Sequence, residues 1–195
     1  PGEKIAEAKI AQEFNTSRTP IREAMRKLES QGLIQIFPKR YAQVATFSEK
    51  EIQDIGMIRI SLDILSIKLV AINGSKAELL NLKSIAVQCL DAFRNNDGVQ
   101  RRKLDSDFHK ELCRISKNNL LFNMQEDLSL KIQFILMHND FKSVNDEQHL
   151  YQHIQIVDAL IEGDIEKALK LDIQHLSEFY CLDIDSPIEF FLKNA

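Results

Sequence analysis

Residues 15–28, NTSRTPIREAMRKL, set four cations, Arg18, Arg22, Arg26 and Lys27, around a short apolar stripe. Ile21, Ala24, Met25 and Leu28 recur at the spacing of one helix face, and Pro20 suits a first turn, where its missing N–H costs nothing. This predicts a helix capped by Thr19, with Pro20 at its first position and Gly32 ending it. Upstream, Ala6, Ile10, Ala11 and Phe14 mark a shorter helix, and Asn15-Thr16-Ser17 breaks it with a residue that tolerates the left-handed backbone region. Two short helices joined by a tight turn make a helix-turn-helix. Arg22 and Arg26 lie one turn apart on a ridge away from the apolar stripe, with Arg18 at the entrance; such a ridge is either a solvated face or a contact for a polyanion.

The next segment favours the second reading. Leu33-Ile34-Gln35-Ile36-Phe37 reads as a strand, Pro38-Lys39-Arg40-Tyr41 as a turn and Ala42-Gln43-Val44-Ala45 as a returning strand, giving a hairpin wing with Lys39 and Arg40 at its tip. Residues 1–45 carry a charge balance of +3 and the remainder one of −7, within a net charge of −4. A basic head on an acidic body can bind phosphate locally whatever the total charge.

Composition is that of an ordinary globular protein, 195 residues with 44% apolar side chains. No apolar run approaches the ~20 residues of a membrane-spanning helix, and Pro1-Gly-Glu-Lys has no feature of a secretion signal, so a cytoplasmic protein without a membrane partner is expected. Cys89, Cys113 and Cys181 are odd in number and far apart, which predicts reduced, buried thiols.

With these residues in view, PGEKI…AQEF…SRTPIREAMRKLESQGLI resembles the winged helix-turn-helix of the GntR family of bacterial transcription regulators. The resemblance implies that the helix from Thr19 enters the major groove of operator DNA, with Ser17, Arg18, Thr19, Arg22 and Arg26 meeting phosphates and base edges and Lys39 and Arg40 on the wing. It further implies a helix ahead of Pro1, so residues 1–47 read as a winged domain without its first helix. Tyr41 stands where the family has a wing-tip glycine, which predicts a wing of altered shape.

Beyond residue 47 the chain reads as all-helical. Ser48 and Glu51 form a capping box opening a helix to about Ile72. Five more are expected: from Ser75 to about Asn95, Val99 to Ser116, about Leu120 to His138, Glu147 to Glu162, and Ile165 to about Cys181. Three of them put metal-ligand residue types on an apolar stripe: Asp105 and His109 beside Phe108 and Leu112, His149 and His153 in line with Leu150, Ile154 and Val157, and His175 beside Leu176 and Phe179. Gly163-Asp164 makes a tight joint, and His153 and His175 lie roughly 15 and 18 Å from it along their helices. If those helices fold back, both imidazoles reach one height and meet Asp105 and His109, a set of three nitrogens and one carboxylate suited to zinc, nickel, manganese or iron. Spacing leaves this open against hydrogen-bonded core histidines.

LDSDFHKEL, NNLL and HIQIVDALIEGD…HL are similar to the FCD ligand-binding domain of the FadR-type GntR regulators. That similarity implies a divalent cation, zinc first, on Asp105, His109, His153 and His175, with a small organic acid completing its coordination. It implies a role for Arg59 in holding a second carboxylate; the competing reading of Arg59 is an ion pair with Asp63, which replaces the family's usual glutamate. His149 is outside the motif and reads as structural or supporting, and His138 has no role. The expected protein is mainly α, a winged helix-turn-helix over 1–47 joined to a six-helix effector-binding and dimerising bundle over 48–195. It acts as a homodimeric repressor that answers to a carboxylate at a metal site. A sensor of the cation itself and a metal-dependent hydrolase are the alternatives.

Overall fold

The computed structural model describes residues 1–38, 40–138 and 147–182, so Lys39 lies outside the described residues. A small sheet and two helices precede six long helices. Strand β1 is Lys4–Ile5, α1 is Glu7–Glu13, α2 is Arg18–Ser30, β2 is Ile34–Phe37 and β3 is Tyr41–Val44. The antiparallel sheet has the order β1-β3-β2, with Ile34 opposite Val44 and Phe37 opposite Tyr41. Met25, Ile34 and Ala42 are buried together, backed by Ile5, Ile21 and Ile36.

Three expectations for this region change. Helix α2 starts two residues early, with Ser17 rather than Thr19 at the cap position and Pro20 at the third helical residue. Pro20 is still within the first turn, where N–H groups have no intrahelical acceptor, so the shift costs no hydrogen bond. Tyr41 belongs to β3 and not to the turn: its ring sits 4.9 Å from that of Phe37, with Lys4 Nζ 4.4 Å from the ring centre. Strand β1 has only two residues, too few to show an alternating pattern, and the sequence reading missed it. The turn between α1 and α2 is as read, with Asn15 at φ 49°.

Helices α3 Glu49–Asn73, α4 Lys76–Arg94, α5 Gly98–Ile115, α6 Asn119–His138, α7 Glu147–Glu162 and α8 Ile165–Phe179 form the body. Their starts are written locally. Ser48 with Glu51 and Ser75 with Glu78 make complete capping boxes, while Asp97 and Asp164 accept from the N–H groups of Gln100 and Lys167. Gly163, at φ +80°, reverses the chain so that α7 and α8 lie against each other. The last helix stops at Phe179, two residues short of the expected end, because Cys181 takes φ 47°. That turn leaves Cys181 exposed, against expectation, whereas Cys89 and Cys113 are buried thiols that burial pushes upward in pKa.

Helix α5 packs on α3, α4 and α6, and α8 on α3 and α7. Ile60, Ile67, Leu82, Phe108, Leu112, Leu150, Ile156 and Ile173 fill the centre. Among the described residues no helix is long and apolar enough to cross a membrane.

Candidate metal centre and nucleic-acid interface

The apolar faces of α3, α5, α7 and α8 converge, and each carries polar residues into the core at one level. Asp105 and His109 are one turn apart on α5, His153 is on α7 and His175 on α8; all four are buried. One donor atom from each lies within 4.8 Å of the others. The Nε2 atoms of His109 and His153 face each other at 3.3 Å, and Asp105 Oδ1 is 3.7 Å from His153 Nε2.

The imidazoles are aimed by their other nitrogens. His109 Nδ1 lies 2.5 Å from Asp63 Oδ2, and His175 Nδ1 lies 3.0 Å from Gln152 Oε1. Donating Nδ1–H to those oxygens leaves each Nε2 with a free lone pair. His153 Nδ1 has no partner, though the residue is fully buried.

Electrostatics agree with neutral rings around a charged carboxylate. Burial drives His153 and His175 well below the ordinary imidazole value of 6.5. Burial alone would raise Asp105, but His153, Arg59, His109 and His149 outweigh it and hold its carboxyl below the usual range. Three neutral nitrogens and one carboxylate oxygen, two of the rings already oriented, fit a borderline divalent ion.

This has a consequence for pH. His153 and His175 resist protonation in the folded state but take it up near 6.5 when unfolded. Below that value the unfolded chain binds more protons, so the metal-free protein loses stability steadily as pH falls from about 7 to 5. Urea midpoints measured across that window with chelator present check it; a flat profile would show that the rings are solvated.

Arg59 is also buried, but not where the ion-pair reading put it. Asp63 is taken by His109, while Arg59 Nη1 donates to Tyr180 Oη at 3.0 Å and Nη2 lies 3.8 Å from Asp105 Oδ2. Burial opposes its charge, yet Tyr180, Asp105 and Asp63 overcome that, and the guanidinium stays ionised. Asp63, Gln152 and Tyr180 were missed as site residues because each meets its partner from a different helix. Asp63 alone had a signal, its position one turn after Arg59. His149 is buried, with neither nitrogen hydrogen-bonded among the described residues, its Nδ1 3.9 Å from Glu178 Oε2 and its ring stacked 4.0 Å from that of His175; His138 bonds the carbonyl of Phe134 on the surface.

In the head, Ser17, Arg18, Thr19, Arg22, Arg26 and Arg40 are exposed. The structure brings Arg40 of the wing to the same groove, of about 680 Å³, that Arg18, Arg22 and Arg26 border. Arg22 is not free: its Nε and Nη2 donate to the two carboxylate oxygens of Glu7 at 3.1 and 2.8 Å, so α1 fixes the side chain along the ridge. Its Nη1 remains for an outside acceptor.

Comparison with known proteins gives this arrangement a context. Residues 54–178 match the FCD domain family, and residues 1–44 match the family described as bacterial regulatory proteins, gntR family. The chain is 30% identical over 178 residues to the HTH-type transcriptional regulator YdhC of Bacillus subtilis, covering 91% of this chain and 80% of that one. It is 29% identical to the HTH-type transcriptional repressor RspR of Escherichia coli K12, over 91% of this chain and 79% of that one. Its fold is similar to that of E. coli McbR/YncC, with a TM-score of 0.76 at 19% identity over 91% of this chain and 85% of that one. These are transcription regulators, not enzymes, which removes the hydrolase alternative. The chain belongs to the GntR family of DNA-binding transcription regulators, in the branch that carries an FCD domain.

Proposed function

We propose that this regulator is a homodimeric repressor whose operator affinity is set by a small organic acid bound at a metal site formed by Asp105, His109, His153 and His175. The convergence of those four buried donors carries the reading. A bound divalent ion, zinc in the first instance, supplies the positive charge that a carboxylate needs in a dry core. Arg59 takes a second carboxylate of the acid; Tyr180 holds the guanidinium in place, and Asp63 and Gln152 keep two rings aimed.

Residues 1–47 read DNA through Ser17, Arg18, Thr19, Arg22 and Arg26, with Arg40 of the wing and, by its place in the sequence, Lys39. Residues 48–195 bind the effector and dimerise. Helix α3 links the two parts. Arg59 and Asp63 face the buried cluster, while their chain neighbours Ile58 and Leu62 line a cleft of about 490 Å³ together with Lys27 and Gln31 of the head and Lys131 of α6. A small rotation of α3 as the acid binds therefore moves the surface on which the head rests, and a preference of the acid for one of two head positions is what changes operator affinity.

Helix α3 also argues for the dimer. Its apolar residues are not confined to one face, and in the single chain Met57, Ile58, Leu65 and Ile72 are exposed, the last at 79%. A helix of that kind is normally covered on every side, and a second copy covers it while placing two recognition helices on successive major grooves. Leu65→Lys is expected to shift the species in sedimentation from twice the 22.5 kDa chain mass toward one chain; an unchanged dimer would put the interface elsewhere.

The test uses a duplex selected by the protein from a random pool. Fluorescence anisotropy of that duplex is measured with the metal-free protein, after zinc, and after zinc with each of a panel of di- and tricarboxylates. The expected result is little change with zinc alone and a change of about 5–150-fold with at least one acid. A full response to zinc alone would make the cation the effector and defeat the reading.

A further inference from the structure

Beside the four donors lies a second set of buried groups, of which the proposed function uses Asp63 only to aim His109 and leaves Asp172 and Gln125 without a role. Asp172, on α8, is 0% exposed, and neither of its carboxylate oxygens has a hydrogen-bond partner. Asp63, also 0% exposed, is its neighbour: one oxygen from each and a ring nitrogen of His109 lie within 4.8 Å of one another. Gln125 of α6 completes the surroundings. Its Nε2 reaches Asp63 Oδ1 only at 3.5 Å, and its buried Oε1 has no partner. With a cation between it and the carboxylates, a reversed amide would turn Oε1 rather than Nε2 toward that ion.

Two carboxylates this close in a dry core, with one wholly unpartnered, call for a cation or a proton between them. The Arg59 guanidinium donates to Tyr180, lies 3.8 Å from Asp105 and, among the described residues, gives Asp172 no hydrogen bond. The oxygens are therefore placed as ligands without an internal counter-ion.

We propose that Asp63 and Asp172, with Gln125 Oε1 beside them, bind a second divalent cation, distinct from the one at Asp105, His109, His153 and His175. The donors are oxygens, so the ion is of the hard class, Mn²⁺ or Mg²⁺, where the first set, rich in nitrogen, selects zinc or nickel. His109 stands between the sets. Its Nε2 faces His153, and its Nδ1 faces Asp63 Oδ2, so a cation on Asp63 draws charge from the carboxylate that His109 donates to and couples the second site to the first through that ring. Asp63 then has two tasks, accepting from His109 through one oxygen and meeting the cation through the other.

The experiment is Mn²⁺ titration of the full chain, read by loss of the free aqua-ion signal in electron paramagnetic resonance, with and without one equivalent of zinc. Wild type is expected to take up one Mn²⁺ per chain in the presence of zinc. Asp172→Asn, which replaces the carboxylate by an amide of the same shape, is expected to lose it by at least tenfold in affinity while keeping its zinc and melting no lower than wild type without metal. His153→Ala is expected to lose zinc and keep Mn²⁺, which separates this site from the first. No Mn²⁺ uptake by zinc-loaded wild type, or equal uptake by Asp172→Asn, overturns the proposal whether or not zinc binds.

Discussion

Replacing His153 by alanine is expected to weaken zinc binding by more than about 100-fold, because loss of a partner that merely orients a ligand already costs about 10–100-fold. His153 is fully buried, and its Nε2 faces both His109 Nε2 and Asp105 Oδ1, so its removal takes a nitrogen from the centre of the proposed donor set. The variant also leaves a cavity beneath Phe108, whose ring lies 4.3 Å from that of His153. His153→Gln, which fills more of that space, separates packing from ligation. Both variants should stay folded by circular dichroism, and both should lose the stabilisation of about 2.7 kcal/mol that zinc at 100 times its dissociation constant gives the wild type. Thermal melts with and without zinc measure this directly. A wild-type-sized zinc shift in His153→Ala would mean that the ion binds elsewhere.

The second large effect is expected at a residue that has no side chain to bind anything. Gly56, on α3, sits against Tyr180, and a Cβ at that position would lie 2.4 Å from the ring carbon Cγ and 2.8 Å from Cδ2. Tyr180 is 1% exposed and has nowhere to retreat. Gly56→Ala therefore overpacks the α3–α8 contact, at a cost of about 1–3 kcal/mol. For a chain of this size that corresponds to a melting point lower by roughly 2–12 °C. Tyr180 Oη is also the hydrogen-bond partner of Arg59, so displacement of the ring releases the guanidinium. The variant should keep zinc and lose the carboxylate response at the operator. Gly56→Ala with an undiminished response would remove Arg59 and Tyr180 from the effector site.

These two positions show what the sequence could and could not disclose. His153 was legible because its meaning is carried by spacing: a histidine in an apolar stripe, at a fixed distance from the Gly163-Asp164 joint, with His175 at a matching distance on the far side. Gly56 was not, since a glycine inside a helix looks alike whether it faces water or a tyrosine 124 residues later. The helix starts were legible because capping is local: Ser48 finds Glu51, and Ser75 finds Glu78, within one turn. The partners of Asp63, Gln152 and Asp172 were not, since each is defined by a neighbouring helix. The competing reading of Arg59 is the instructive one. Its one-turn spacing from Asp63 suggested an ion pair, but in the packed bundle His109 holds Asp63 and Arg59 turns to Tyr180. Pairing along a helix is a weak preference, worth about 0.2–0.5 kcal/mol, and a buried partner on another helix overrides it.

The central claim, that distant segments bring three imidazoles and a carboxylate together to hold one ion, is tested most directly by anomalous X-ray diffraction from crystals of zinc-loaded protein, recorded on both sides of the zinc edge. The account predicts a single strong peak per chain amid Asp105, His109, His153 and His175, inside the bundle. Zinc found only at surface carboxylates or at Cys181, with no peak among those four residues, would contradict it.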